Sequence, residues 1–263
     1  MATDGHCMNY TQPTITSVCR LCQQDRILRN SHIVPEFLYS DLYNDKHQMM
    51  GINGLGRRGW AVIQKGLREP LLCDVCEQHF NDRFEKPFLA QWVMAAPLPN
   101  PWDFSDVHWC SFEYSSFKLF HLSVLFRAGV SSLPTFSAVS LGPHKEKLRK
   151  LLCSAIPGQN WEYPIIGSAI VHHKTKRIMP MVTQPIRTSF NGHCCYGMAY
   201  GGVQWWICVS SHRDIEFETA ALKPDGRMPF LAVPWNEVPT IQSAATALRE
   251  ARPYQATLES TKS

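Results

Sequence analysis

Apolar residues recur along the chain at different spacings, which predict helices in its first half and strands in its second half. Phe80, Phe84, Phe88 and Trp92 recur every four residues and predict an amphipathic helix. Pro87 lies inside this pattern and should kink or perturb the helix, because proline lacks the backbone N–H and its ring clashes with the preceding turn.

Two further helices are predicted before residue 155. Between Phe117 and Ala128, apolar residues recur at three- and four-residue steps and should share one face. Leu148, Leu151 and Leu152 predict a shorter basic helix that follows Gly142-Pro143. A late helix is expected over about residues 238–252.

Beyond residue 156 the pattern changes to short apolar runs between turn residues. The runs 164–171, 179–182, 193–200 and 203–209 are typical of strands, and Gly201-Gly202 predicts a two-residue hairpin between the last two. The expected fold class is therefore α+β, with an antiparallel sheet in the C-terminal region.

Changes in composition divide the chain into four parts. We predict a cysteine-bearing region at 15–95 and a helical region at 96–155, which opens with the proline-rich segment 97–101. A β-rich region with the final helix should occupy 156–252, and a tail should occupy 253–263.

The composition limits the class of protein. Of the 263 residues, 44% are hydrophobic and 18% are charged, which excludes a disordered chain. No apolar stretch approaches the roughly 18 residues that a spanning helix needs, and the first 18 residues show no secretory pattern. We therefore expect a cytoplasmic protein without a membrane partner. The net charge of +4 permits nucleic-acid binding but does not by itself argue for it.

Four of the ten cysteines form two Cys-x-x-Cys pairs, Cys19/Cys22 and Cys73/Cys76. Zinc prefers four soft ligands in a tetrahedron, and a tight Cys-x-x-Cys turn lets two sulfurs converge on one ion. The two pairs therefore predict a structural Zn²⁺ site, although one pair could be a chance occurrence in a cysteine-rich chain. Most of the other six cysteines are interpreted as core residues. A knuckle between strands, and a second knuckle leading into a helix, is the layout of a treble clef.

Further motifs accompany the cysteines. Ser31-His-Ile-Val-Pro35 follows the first pair, and Glu77 comes directly after the last cysteine. In this order the chain resembles the zinc-containing HNH endonucleases, whose finger is a ββα-metal hairpin held by a four-cysteine zinc. It is most similar to an uncharacterised bacterial group described as HNH-like. The likeness extends to about residue 164 and leaves the rest of the C-terminal region unassigned.

The resemblance implies roles for individual residues. His32 falls on the general-base position and Glu77 on that of a ligand for a catalytic Mg²⁺ or Mn²⁺. Ser31 departs from the pattern, because HNH enzymes usually have Asp or His there as the other metal ligand. Asn81 and Glu85 lie four and eight residues after Glu77 and are candidate replacements.

Each of these residues also has a structural interpretation. His32 could fix the hairpin through bonds to backbone carbonyls, and Glu77 could simply be a favourable acidic residue at a helix N-terminus. Glu85 could be a surface or structural partner. His79 could replace a cysteine ligand, but the complete set of four cysteines argues against this.

Basic residues provide candidate contacts to nucleic acid. Between the knuckles lie Arg57, Arg58, Lys65 and Arg68, and the short basic helix carries Lys145 and Lys147. These residues could neutralise phosphates, or they could form an ordinary solvated face.

Two functions follow from these patterns. The first is a metal-dependent HNH-type nuclease that hydrolyses phosphodiester bonds of DNA or RNA, in phage defence or nucleic-acid metabolism of a bacterium, with the C-terminal region as a substrate or protein-partner module. The alternative is a non-catalytic zinc scaffold that binds nucleic acid or a partner protein. Ser31 favours the scaffold, whereas His32 and Glu77 in the expected order favour the nuclease.

Overall fold

The computed structural model describes residues 16–52, 60–239 and 241–242, and these form a mixed α+β protein. The strands are β1 (Thr16–Val18), β2 (Asp25–His32), β3 (Met49–Ile52), β4 (Trp60–Ile63), β5 (Arg68–Cys73), β6 (His108–Ser111), β7 (Ile165–Val171), β8 (Ile186–Phe190), β9 (His193–Tyr200), β10 (Val203–Cys208) and β11 (Arg227–Pro234). The α-helices are α1 (Asp74–Phe80), α2 (Lys86–Phe88), α3 (Tyr114–Val130), α4 (His144–Ser154) and α5 (Ile215–Ala220).

Strands β1, β2 and β5 form a small sheet that carries both cysteine pairs. The pairing of β2 with β5 contains a bulge: Arg29 faces Leu72 but Asn30 faces Pro70, so Leu71 has no partner on β2. The carbonyl of Leu71 instead accepts a hydrogen bond from the backbone N–H of Arg20 in the first knuckle, at 3.0 Å. The bulge therefore joins the first knuckle to the end of β5.

The predicted amphipathic helix is one helical run from residue 74 to residue 94, here called the long helix. It consists of α1, a π-helical segment (Asn81–Glu85), α2 and a second π-helical segment (Leu89–Met94). At 3.6 residues per turn, each four-residue step rotates about 40° past a full turn, so a pure α-helix would carry the aromatic stripe away from the core. The π-helical turns contain more residues and reduce this drift. All four stripe residues are buried.

Helix α3 is surrounded by protein. Every residue from Ser116 to Ala128 is buried, including the polar residues Lys118, His121 and Arg127. The prediction of a helix here is confirmed, but the prediction of a single buried face is wrong. A helix that is covered on all sides belongs to the interior of a protein.

The large sheet has the strand order β6-β11-β7-β10-β9-β8. Every neighbouring pair is antiparallel except β11 and β7, which are parallel, so the predicted antiparallel sheet is in fact mixed. The predicted β9–β10 hairpin is confirmed, and Gly201 and Gly202 have φ angles of +59° and +78° in its turn. Such angles favour glycine.

Two other predictions for the C-terminal region have different outcomes. The run 179–182 is not a strand, and Pro180 inside it lacks the N–H group that a ladder requires. The predicted helix 238–252 lies largely outside the described residues.

One continuous apolar core contains residues from all three predicted regions. Trp92 of the long helix connects them: its indole N–H donates to the carbonyl of Gly201 at 3.0 Å, and its ring lies 5.2 Å from that of Trp205. Strands β3 and β4 pair with each other in a separate two-stranded sheet. None of the described helices is both long and apolar enough to cross a bilayer.

Candidate metal centre and adjoining polar site

The two cysteine pairs lie on different kinds of turn. Cys19 and Cys22 occupy the turn between β1 and β2, where the backbone N–H of Cys19 donates to the carbonyl of Gln24 and that of Gln23 to the carbonyl of Cys19. Cys73 ends β5 and is the N-cap of α1, and Cys76 lies in the first turn of that helix. Both contexts agree with the sequence prediction.

The four sulfurs of Cys19, Cys22, Cys73 and Cys76 lie within 4.8 Å of one another and could hold a metal ion such as zinc. Zn–S bonds of about 2.3 Å in a regular tetrahedron require S–S edges of about 3.8 Å. The sulfurs of Cys22 and Cys73 are 3.9 Å apart. The backbone N–H of Cys73 points at the sulfur of Cys19 at 3.3 Å, which would stabilise a thiolate there. The donor set and its spacing therefore fit zinc.

Ser31 and Glu77 are in direct contact beside this cluster. The hydroxyl of Ser31 donates a hydrogen bond to Oε1 of Glu77, and the same hydroxyl accepts one from the backbone N–H of Leu72 at 3.1 Å. Ser31 is only 2% exposed. The residues that occupy the two expected metal-ligand positions thus lie together, and a serine holds the carboxylate.

His32 contacts a different carboxylate. Its Nε2 lies 2.7 Å from Oε2 of Glu36, four residues along the chain, and both atoms are buried. Oε1 of Glu36 accepts a hydrogen bond from the hydroxyl of Tyr43. Burial lowers the pKa of His32, while the charge of Glu36 opposes this effect. In Glu36, burial alone would raise the pKa, but the Tyr43 hydrogen bond and the charge of His32 leave it lowered.

Arg127 of α3 links the two sides of this polar site. Its guanidinium, 1% exposed, donates from Nη1 to Oε1 of Glu85 at 2.8 Å and to the backbone carbonyl of His32 at 2.9 Å. It also lies over the ring of Phe80, 5.5 Å from the centroid. Burial raises the pKa of Glu77, whereas Arg127 and the Ser31 hydroxyl lower it. Arg127 is therefore the cation that faces this group of carboxylates.

The predicted catalytic residues are only partly brought together. Ser31 contacts Glu77, Glu85 pairs with Arg127, and the charge of Arg127 acts on Glu77. Asn81 lies half-buried where α1 meets the π-helical segment. His32 is adjacent to Ser31 on a strand, where successive side chains point to opposite faces, and it pairs with Glu36. In the described part of the chain, no second group of three His, Cys, Asp or Glu ligand atoms approaches as closely as the four cysteines.

The predicted basic residues that the structure describes lie on different elements. Lys65 is exposed, and Arg68 is half-buried with its charge close enough to lower the pKa of His32. Lys145 and Lys147 are exposed on α4. Arg57 and Arg58 lie outside the described residues.

His79 is not part of the metal cluster. Its Nε2 lies 2.8 Å from the carbonyl of Leu152 and ties the long helix to α4. The complete set of four cysteines makes a histidine ligand unnecessary, as the sequence indicated.

Sequence reasoning missed two residues of the polar site. Glu36 carried a detectable signal, because it follows His32 by four residues at a helical spacing. Arg127 carried a weaker one: it is a charged residue inside a helix whose neighbours are mostly apolar. Nothing in the sequence paired Arg127 with Glu85, which lies 42 residues earlier.

Comparison of the chain with protein-family models, with curated protein sequences and with solved structures gave no match in any of the three.

Proposed function

We propose that the chain is a zinc-stabilised binding protein with an HNH-like, treble-clef module that binds nucleic acid and does not hydrolyse it. Cys19, Cys22, Cys73 and Cys76 hold one structural Zn²⁺. The polar site beside them stabilises the junction between the cysteine module and α3.

The observation that carries this proposal is the position of Arg127. An HNH enzyme of the expected kind needs a divalent ion, held by carboxylates, to neutralise charge on the scissile phosphate. Here the carboxylate of Glu85 is paired with a buried guanidinium 2.8 Å away. Burial raises the pKa of Glu77, and the charge of the same guanidinium offsets part of that rise. Arg127 therefore supplies internally the positive charge that a metal ion would otherwise bring.

Ser31 supports the same conclusion. A serine hydroxyl contributes no charge and is a weak ligand for Mg²⁺, which prefers carboxylates and water. In this protein the hydroxyl is used to hold Glu77 and to bond the backbone of Leu72. Both hydrogen bonds stabilise the junction between β2, β5 and α1.

Purified zinc-loaded protein should be incubated with supercoiled plasmid, single-stranded DNA and RNA, in Mg²⁺ and in Mn²⁺. We expect retention of these substrates on the protein and no cleavage above a mock-purified control. Cleavage that disappears in His32→Ala, but persists in His47→Ala, would overturn the non-catalytic part of the proposal. His47 is a suitable control because its Nε2 also contacts Glu36, at 3.6 Å, from an exposed position.

The second candidate function is the HNH-type nuclease. The His32–Glu36 pair favours it, because a carboxylate can orient a histidine that acts as a general base. Burial keeps His32 in its neutral form near pH 7, as a base requires. General-base catalysis commonly contributes about 10²–10⁴-fold, so His32→Ala should reduce cleavage by about that factor if this function is correct.

A further inference from the structure

A cleft of about 280 Å³ lies between the first cysteine knuckle, the C-terminal end of α3 and the start of α4. Apart from Ser131, its charged and polar side chains come from two separate elements. Arg20 and Gln23 extend from the knuckle, and Lys145, Glu146 and Arg149 extend from α4. Three of these five side chains are basic and one is acidic.

The charges in this cleft are not balanced. Arg149 forms a two-point pair with Glu146, in which both N···O distances are 2.7 Å. This pairing leaves Arg20 and Lys145 as the lining cations with no ion pair among the described residues. Both are exposed. The cleft therefore presents two available positive charges beside a side-chain amide.

The cleft is built onto the candidate metal centre. Nη1 of Arg149 donates to the carbonyl of Leu21, inside the first knuckle, at 2.8 Å. Arg149 is thus held in place from both sides, by Glu146 and by the knuckle. Because the knuckle also positions Arg20, the spacing between the cations of the two walls depends on the folded cysteine module.

The cleft adjoins the polar site through α3. Gly129, Val130 and Ser131 form its wall, and the next residue, Ser132, donates from both its N–H and its hydroxyl to Glu69 of β5. Glu69 faces Ser31 across the β2–β5 pairing. A chain of bonded residues therefore connects the cleft to the polar site.

We propose that this cleft binds the phosphodiester backbone of nucleic acid, with Arg20 and Lys145 as the phosphate-contacting residues. Its volume lies just below the about 300–1,000 Å³ typical of small-molecule pockets, which suits a backbone phosphate better than a bulky cofactor. Arginine and lysine on the two walls can contact successive phosphates, and such contacts carry no sequence information. The choice of nucleic acid as the ligand rests on the proposed function.

Lys145 and Lys147 were both predicted from the sequence to contact nucleic acid, but they lie on different sides of α4. Lys145 lines the cleft, whereas Lys147 does not and lies about 200° around α4 from it. Lys147→Gln is therefore a matched control for Lys145→Gln: each removes one exposed positive charge from the same helix.

The test is fluorescence anisotropy with a labelled 30-nucleotide single strand and the corresponding 30-base-pair duplex. The proteins are wild type, Arg20→Gln, Lys145→Gln and Lys147→Gln, all of verified zinc content and melting temperature. Losing one duplex phosphate contact lowers affinity about eightfold at 0.1 M salt, because log K falls by about 0.9 per contact for each decade of salt; a single strand loses about fivefold. We expect these losses in Arg20→Gln and Lys145→Gln, together with a salt dependence that is shallower by about one contact.

Three results would overturn the proposal. Equal losses in Lys147→Gln and Lys145→Gln would show a diffuse charge effect in place of a cleft. Tight wild-type binding that neither cleft variant weakens would refute the role of the cleft but would leave the proposed nucleic-acid binding intact. A wild type that binds no nucleic acid would refute both the role of the cleft and the proposed function. A competition experiment distinguishes a backbone phosphate from a free anion. Inorganic phosphate and chloride are added at equal ionic strength. If millimolar phosphate displaces the strand and chloride does not, the cleft is a site for free phosphate and the proposal is wrong.

Discussion

Replacing Arg127 with methionine tests how the polar site is stabilised. The substitution keeps a long flexible side chain over Phe80 but removes the guanidinium that contacts Glu85 and the carbonyl of His32. Glu85, whose side chain is 18% exposed, is then left without its partner in a largely desolvated place. Breaking a buried ion pair on one side typically costs about 3–5 kcal/mol, because an uncompensated charge remains.

The assay is urea unfolding at fixed zinc concentration, with Arg213→Met as the control. Arg213 pairs with Glu218 at 2.8 Å, the same distance as the Arg127–Glu85 pair, but it is an exposed residue. Exposed ion pairs contribute about 0–1 kcal/mol, so the control should lose little stability. We expect the loss of unfolding free energy in Arg127→Met to exceed that of the control by at least about 2 kcal/mol.

A double-mutant cycle with Glu85→Leu separates the ion pair from the other contacts. Removing both charged groups should recover part of the loss, since no unpaired charge then remains in the site. Equal losses in Arg127→Met and Arg213→Met, or additive losses in the cycle, would refute the role given to Arg127.

Three further substitutions test the metal centre, the buried core and a turn. Purified protein should contain about one zinc per chain, and Cys76→Ser should lower both zinc content and yield, whereas Cys110→Ser, at another buried cysteine, should leave zinc content unchanged by elemental analysis. Complete burial holds the pKa of His121 well below its ordinary value of 6.5, so the unfolded chain binds a proton that the native protein does not. The unfolding free energy should therefore fall as the pH drops below 6.5, by up to about 1.4 kcal/mol per pH unit, and His121→Asn should flatten this slope in urea titrations at several pH values. Gly202→Ala should cost more than the about 1–3 kcal/mol of backbone strain, because its Cβ would lie 2.4 Å from a side-chain carbon. Gly192→Ala has the similar φ of +79° but open space around the Cβ, and equal melting temperatures for these two variants would contradict the clash.

The local patterns of the sequence predicted much of the fold. Cysteine spacing identified the sulfur cluster, and the four-residue aromatic stripe identified the long helix. Two adjacent glycines identified the β9–β10 turn. For the helix and the turn, the signal and the structure that it produces lie close together in the chain. The sulfur cluster joins pairs that are distant in sequence, as the separation of 51 residues between Cys22 and Cys73 shows, but the same Cys-x-x-Cys spacing in both pairs identified each as the other's partner.

Features that depend on distant residues were not predictable in the same way. The parallel pairing of β11 with β7 joins residues about 60 positions apart, and β6 joins the sheet from the region predicted to be helical. The burial of α3 on all sides depends on what surrounds it, which its own sequence does not specify.

In the candidate site, too, local sequence patterns were informative and contacts between distant residues were not predictable. Ser31, His32 and Glu77 stood out by their order around the cysteines, and Ser31 and Glu77 are in contact. The sequence analysis did not identify Glu36, which pairs with His32, or Arg127, which pairs with Glu85. The contact between Ser31 and Glu77 spans 46 residues, and that between Arg127 and Glu85 spans 42. These two contacts support the proposal of a binding protein over that of a nuclease.

The binding of Mn²⁺ to zinc-loaded wild-type protein, measured by electron paramagnetic resonance of the free ion, tests the role of Arg127 most directly. If Arg127 supplies the positive charge of the polar site, the wild type should take up no more Mn²⁺ than Glu77→Gln does. Asp82→Asn, altered at an exposed carboxylate of the same long helix, is the matched control. Binding of one Mn²⁺ per chain that is lost in Glu77→Gln and kept in Asp82→Asn would contradict the non-catalytic proposal and favour the nuclease.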